Sequence, residues 1–263
     1  MNGKCELQHM TWKEIAGVFA RDPVVLVPFG SMEEHGPHSP TGDYLAAYEI
    51  ARRIARQTDS YCLPVIPFGY SEYFRGFPGT ISLSPQTMVS IIGDIFECLC
   101  EHGVARIVCL NGHAGNAPLI DQVARAVRRE KKLMVGSLDL WQCLSDDFKK
   151  QLYGGDFNPS GHGAEPLTSV MLHLFPADMR MDLLTKAINT KEWAGLPIAG
   201  MAKVAVGDTQ AGVFFNMEEL SPIGVLGNPY AASSERGKAI VDQIVGYGAA
   251  FVEKFKKAKT RLA

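Results

Sequence analysis

Glu33, His35 and His38 stand in the spacing Glu-x-His-x-x-His, inside Gly30-Ser31-Met32-Glu33-Glu34-His35-Gly36-Pro37-His38-Ser39-Pro40-Thr41-Gly42-Asp43. A loop that only reverses the chain needs glycine and proline, not three carboxylates and two imidazoles. In extended backbone, residues two apart project to the same side. Glu33 and His35 can therefore converge on one centre, while Glu34 points away. Asp43 can fold back towards them across the Gly-Pro turns. His113 lies in Asn111-Gly112-His113-Ala114-Gly115-Asn116, and Glu165 in Gly161-His162-Gly163-Ala164-Glu165-Pro166. Glu33, His35, Asp43, His113 and Glu165 together form a hard-to-borderline ligand set suited to Zn²⁺, Mn²⁺ or Fe²⁺. Two divalent ions exceed three carboxylates by one positive charge, which one hydroxide balances. The count leans towards a dinuclear centre, which makes a water nucleophile at neutral pH. Each residue also has a plainer reading. Asp43 can cap a helix, Glu165 can complement a helix dipole, His113 can donate to a loop carbonyl, and His38 can brace its loop or support a ligand. Their shared placement at element ends, outside helix interiors, favours a site. His9, His102 and His173 read as structural.

These residues need elements to hold them. An apolar run at 24–29 reads as a buried strand, and 44–57 carries apolar residues at helical spacing. The Glu-x-His segment is thus the loop between strand and helix, beyond the strand's carboxyl end, where function gathers in α/β proteins. A short amphipathic helix is expected at 11–21. A second apolar run at 62–68 leads into an aromatic, glycine-punctuated loop, 69–80, of the kind that lines a pocket. Residues 84–102 read as a helix with Ser84 as cap and Pro85 at the first position. Residues 106–110 form a strand, a helix then runs to about 131, and 133–140 form another strand. Residues 146–160 read as polar loop, 167–175 as helix, 179–210 as irregular, and 233–257 as a long closing helix. Strands alternating with helices predict a parallel sheet covered on both faces. With no repeat, linker or low-complexity segment, residues 1–263 read as one domain.

Composition sets outer limits. The chain of 263 residues is 46% hydrophobic and 21% charged, with a net charge of −2. Nothing in that balance points to nucleic acid or an anionic membrane. No apolar run approaches membrane-spanning length, and residues 1–9 lack the apolar core of a signal peptide. Six cysteines show no CxxC or metal-finger spacing. Cys62, Cys98, Cys100 and Cys109 read as buried free thiols, and the protein as reduced and cytoplasmic. Ser31 has no Gly-x-Ser-x-Gly elbow around it, so a nucleophilic serine is disfavoured.

The chain resembles the creatininase family, the creatinine amidohydrolases. The first matching segments are Gly30 to His38 with Pro40 and Asp43, then Gly76-Phe77-Pro78-Gly79-Thr80 and Asn111-Gly112-His113-Ala114-Gly115-Asn116. They continue with His162-Gly163-Ala164-Glu165 with Thr168-Ser169, and Gly224-Val225-Leu226-Gly227-Asn228-Pro229. The segments run in family order through most of the chain. The resemblance implies an αβα sandwich, two divalent ions (zinc first, manganese or iron next) and a homo-oligomer, often a hexamer. It implies hydrolysis of a C–N bond in a cyclic amide or formamide. Carried over by motif, Glu33, His35, Asp43, His113 and Glu165 are metal ligands, and His162 passes a proton to the leaving nitrogen. Four departures accompany it. The loop from Pro40 to Asp43 is one residue short. Gly115 stands where creatininase has a glutamate, Leu167 where the His162–Glu165 motif usually continues with a second glutamate. The tryptophans that hold creatinine have no clear counterpart beyond Trp141. These departures point to a small-molecule substrate other than creatinine. Arg75 can bind a substrate carboxylate or simply face solvent. A ketone or lactone hydrolase and a metal-stabilised binding protein are the alternatives.

Overall fold

The computed structural model describes residues 4–155, 157–186 and 188–262. The reading of residues 1–9 falls partly on residues 1–3, outside the described residues. After the opening helix α1 (Trp12–Phe19), strand β1 (Val24–Phe29) is buried at every position. Helix α2 (Tyr44–Gln57), strand β2 (Tyr61–Cys62), helix α3 (Pro85–Glu101) and strand β3 (Arg106–Asn111) follow. Next come helix α4 (Ala117–Lys131) and strand β4 (Gly136–Asp139). The sheet order is β2-β1-β3-β4 and every pairing is parallel, with Val24 opposite Arg106 and Phe29 opposite Asn111. Strand alternation sorts the core into two layers. Leu26, Val108, Leu110 and Leu138 face α2 and two later helices, α6 (Leu167–Leu174) and α8 (Ser234–Phe255). Val25, Val27, Phe29, Ile107 and Cys109 face α1, α3 and α4. This is the expected αβα sandwich. Among the described residues no helix is long and apolar enough to cross a membrane.

Three expectations need correction. Residues 146–160 are not all loop: helix α5 (Asp146–Tyr153) starts on a Ser145 cap and ends at Gly154, φ 86°. Its polar composition hides one apolar pair, Phe148 and Leu152, a turn apart and packed on the core. Residues 179–210 contain a second, antiparallel sheet. Its strands are β5 (Glu192–Trp193), β6 (Leu196–Gly200), β7 (Lys203–Val206) and β8 (Thr209–Gly212), in that order. They are short and half exposed, so they lack the apolar run that marked β1. Only turn glycines such as Gly195 and Gly207, both at positive φ, signal them. Val204 of this sheet packs with Phe74, Phe215 and the short helix α7 (Met217–Leu220). Of the cysteines expected to be buried, Cys62 and Cys109 are, but Cys98 is exposed and Cys100 half-buried. These two lie off the stripe of Met88, Ile92, Phe96 and Leu99 that α3 turns inward.

Candidate metal centre

The site forms beyond the carboxyl ends of β1 and β3. Gly30 begins the first loop because a Cβ there would come within 2.4 Å of the Tyr44 backbone, at the start of α2. The loop can therefore lie against the helix that carries Asp43. Asp43 precedes α2 but makes no side-chain cap. Its Oδ1 accepts from the Ser31 amide at 2.7 Å, and its Oδ2 lies 3.1 Å from His113 Nδ1. The plain reading of Asp43 as a helix cap is thereby displaced.

Two groups of ligand atoms assemble. Glu33, Asp43 and His113 form one, and Glu33, His35 and His162 the other, with atoms within 4.8 Å of one another in each. Glu33 belongs to both. His113 Nδ1 lies 3.1 Å from Glu33 Oε2, and His35 Nε2 lies 3.4 Å from Glu33 Oε1. The far ring nitrogens have carbonyl partners. His113 Nε2 meets the Tyr70 carbonyl at 2.8 Å, and His35 Nδ1 meets the Glu33 carbonyl at 3.2 Å. A carbonyl accepts only from N–H, so each of these nitrogens carries a proton and leaves the other nitrogen, on the carboxylate side, to take up a cation in place of a proton. That is how ligating imidazoles are held. Ser71 extends the support: its hydroxyl donates to Glu33 Oε2 and lies 3.2 Å from His113 Nε2.

Glu33, His35, Asp43 and His113 are each at most 4% exposed. Burial alone would raise the Glu33 carboxyl, but the charge and hydrogen bond of His113 hold it below the ordinary range. Burial raises Asp43 to about 6, and the Glu33 charge adds to this against the pull of His113. Burial would lower His113, yet the two carboxylates hold it well above its ordinary value. Burial, with the His162 charge, lowers His35 to about 3. Without a metal, a proton on His113 therefore takes the place of a cation between two buried carboxylates. Oriented lone pairs, buried carboxylates and close-set donor atoms fit divalent ions.

His162 is pressed between rings. Its imidazole stacks on Phe74 at 4.0 Å and on His35 at 4.6 Å. Its Nε2 lies 2.7 Å from the Glu34 carbonyl and 2.9 Å from Glu34 Oε1. Burial would lower His162, but the hydrogen bond and charge of Glu34 raise it. Glu34 therefore belongs to neither group, but it does not turn away from them: its carboxylate meets His162 of the second. Gly224 permits this, since a Cβ there would fall 1.9 Å from Glu34 Oε2. His38 braces its loop: buried, with a ring lowered to about 4 by burial, it lies 3.3 Å from the Thr168 hydroxyl.

Glu165 stands apart from both groups. It receives Tyr153 Oη–H at 2.9 Å and Ser169 Oγ–H at 2.6 Å, and burial raises its carboxyl. It shares with the ligand groups a cavity of about 370 Å³, lined also by Tyr73, Phe74, Trp141, Tyr153 and Met201. The loop at 69–80 does line the pocket, from this chain's own Tyr73 and Phe74. Arg75 does not: it is exposed and paired with Glu72 at 3.0 Å, so the solvent-facing reading stands. Ser71, Tyr153 and Ser169 were missed. A serine or tyrosine carries no spacing signal, although Ser169 lies in the segment that follows His162-Gly163-Ala164-Glu165.

The creatininase family model, described as creatinine amidohydrolase, matches residues 8–252. The chain is 32% identical over 194 residues to creatinine amidohydrolase of Pseudomonas putida, spanning 66% of this chain and 73% of that one. It is 26% identical over 258 residues to 3-dehydro-scyllo-inosose hydrolase of Thermotoga maritima, spanning 91% and 80%. A solved manganese form of creatininase shares the fold with a TM-score of 0.78 and 25% identity, over 96% of this chain and 99% of that one. With its ordered motifs, its fold and this cluster of carboxylates and imidazoles, the chain belongs to the creatininase family of hydrolases.

Proposed function

We propose that this hydrolase cleaves a C–N bond of a cyclic amide or formamide, on a substrate other than creatinine, with water activated at a two-ion centre. The observation that carries this reading is the pair of ligand groups joined through Glu33. Glu33, Asp43 and His113 would hold one ion, and Glu33 with His35 the other, zinc first and manganese or iron next. Bound there, the ions would supply a water nucleophile at neutral pH and polarise the carbonyl under attack. His162 carries the proton for the departing nitrogen. Its Nε2 is committed to Glu34, so the transfer runs through Nδ1. Glu165 lines the same cavity. Its hydrogen bonds to Tyr153 and Ser169 favour a role in placing substrate or proton over direct ligation. The cavity volume suits a small molecule. Exposed apolar side chains on the second sheet support assembly with copies of the same chain, a hexamer by family resemblance.

A second reading exchanges the amide for a cyclic ketone or lactone. The Thermotoga maritima relative favours testing it, because that match spans more of this chain than the creatinine amidohydrolase match does. Elemental analysis of protein purified without chelator is expected to find about two divalent ions per chain. Glu33→Gln should lose them. A panel of cyclic amides, formamides, lactones and cyclic ketones then assigns the bond. A preparation that takes up no Zn²⁺ or Mn²⁺ and turns over nothing would sink the proposal.

A further inference from the structure

Gly115 lies in a tight part of the site. A Cβ built there would stand 2.2 Å from the Tyr70 carbonyl oxygen, 2.6 Å from His113 Nε2 and 2.8 Å from the Tyr73 hydroxyl. Three polar groups thus converge on a point that only glycine leaves free. Two of them satisfy each other, because His113 Nε2–H donates to the Tyr70 carbonyl. The third does not. The Tyr73 hydroxyl has no hydrogen-bond partner among the described residues, and Tyr73 lines the cavity beside Glu33, His35, Asp43 and His113. Its ring is not free to turn away. It meets Tyr70 edge-on at 6.2 Å and 90°, and Phe74 at 4.6 Å and 72°. A clamped ring whose hydroxyl carries no protein partner among the described residues, on the wall of the cavity that holds the candidate ligands, is available to a molecule that enters that cavity.

A phenol keeps its proton near neutrality, so the group can donate. Lone pairs that gain charge during hydrolysis are those of the attacked carbonyl oxygen. A fixed donor aimed there stabilises the transition state more than the ground state. We propose that Tyr73 is a catalytic residue whose hydroxyl donates a hydrogen bond to the oxygen of the scissile carbonyl as the tetrahedral state forms. The assignment rests on the hydrolase reading above.

Tyr73→Phe keeps the ring and its packing and removes only the donor. On the substrate found in the panel, kcat should fall by about 100-fold with KM within about threefold. Metal content should equal that of the wild type. A second readout is independent of turnover: acetohydroxamate, a small planar chelator whose carbonyl oxygen carries part of an anionic charge, should bind the metal-loaded variant about tenfold more weakly by calorimetry. Unchanged kcat, a loss confined to KM, unchanged acetohydroxamate affinity, or loss of metal would each overturn the role given to Tyr73. If the wild type binds metal and acetohydroxamate and the variant binds both equally well, only Tyr73 is misassigned. If the wild type takes up no metal and hydrolyses nothing, the hydrolase reading fails and the assignment falls with it.

Discussion

At the residue scale, the site works through which atom of each side chain is already occupied. His113 gives its Nε2 proton to Tyr70 and turns Nδ1 to two carboxylates that hold a further proton on the ring. A cation must displace that proton. Metal affinity should therefore rise with pH, and binding near neutrality should release protons. Calorimetry in buffers of different ionisation enthalpy measures the number, and zero release would contradict the protonated His113. Gly115→Ala tests the same bond from behind. The added Cβ collides with the Tyr70 carbonyl, so His113 should lose its orientation. Metal affinity should fall by about 10–100-fold, the range for loss of a support behind a ligand. Affinity equal to the wild type would show that the carbonyl can step aside.

At the element scale, helix α8 reaches the site through its backbone. Gly237 lets α8 approach α6 so closely that a Cβ would lie 1.9 Å from the Ser169 carbonyl. The Ser233 amide, at the cap of α8, donates to Ser169 Oγ, which donates to Glu165. Gly237→Ala should therefore cost about 1–3 kcal/mol, because a backbone carbonyl cannot yield as a flexible side chain can. Urea unfolding measures it, and a stabilised variant would contradict the packing described. Asp43 shows the same coupling in the other direction. It stands at the start of α2 yet leaves that helix uncapped, and its carboxylate serves Ser31 and His113 instead.

At the scale of the whole molecule, the two sheets divide the work. The parallel sheet is covered on both faces and sets the loops after β1 and β3 side by side. The antiparallel sheet lies over the loop at 69–80, and Met201 from its β6–β7 turn closes the cavity. Its outer surface keeps apolar groups in view, with Trp193 and Val206 nearly half exposed and Phe214 beyond β8 at 87%. Such surface suits burial against another copy. Sedimentation velocity should give a multiple of the 28.7 kDa chain mass, six by family resemblance. Phe214→Ser should shift the distribution towards smaller species, and a monomer at all concentrations would remove the oligomer from the proposal.

The sequence by itself determined the parallel sheet, the bounds of β1 and α2, and the placing of Glu33, His35, Asp43 and His113 in loops after strands. These follow from local rules. Continuous apolar runs make buried strands, helical spacing makes amphipathic helices, and carboxylates with imidazoles in glycine-rich loops have few other uses. The antiparallel sheet was illegible because its strands are short and half exposed, and helix α5 because polar residues mask its one apolar pair. Only the tertiary structure decided which side chains meet. Glu34 is one residue from two candidate ligands, yet it turns to His162, 128 positions away. Glu165 has a ligand's chemistry, yet its carboxylate meets Tyr153 and Ser169 and joins neither group. Tyr73 is an ordinary aromatic until Gly115 opens the space its hydroxyl faces. Contacts of this kind depend on the order of strands and the closeness of helices, and spacing along the chain does not encode them.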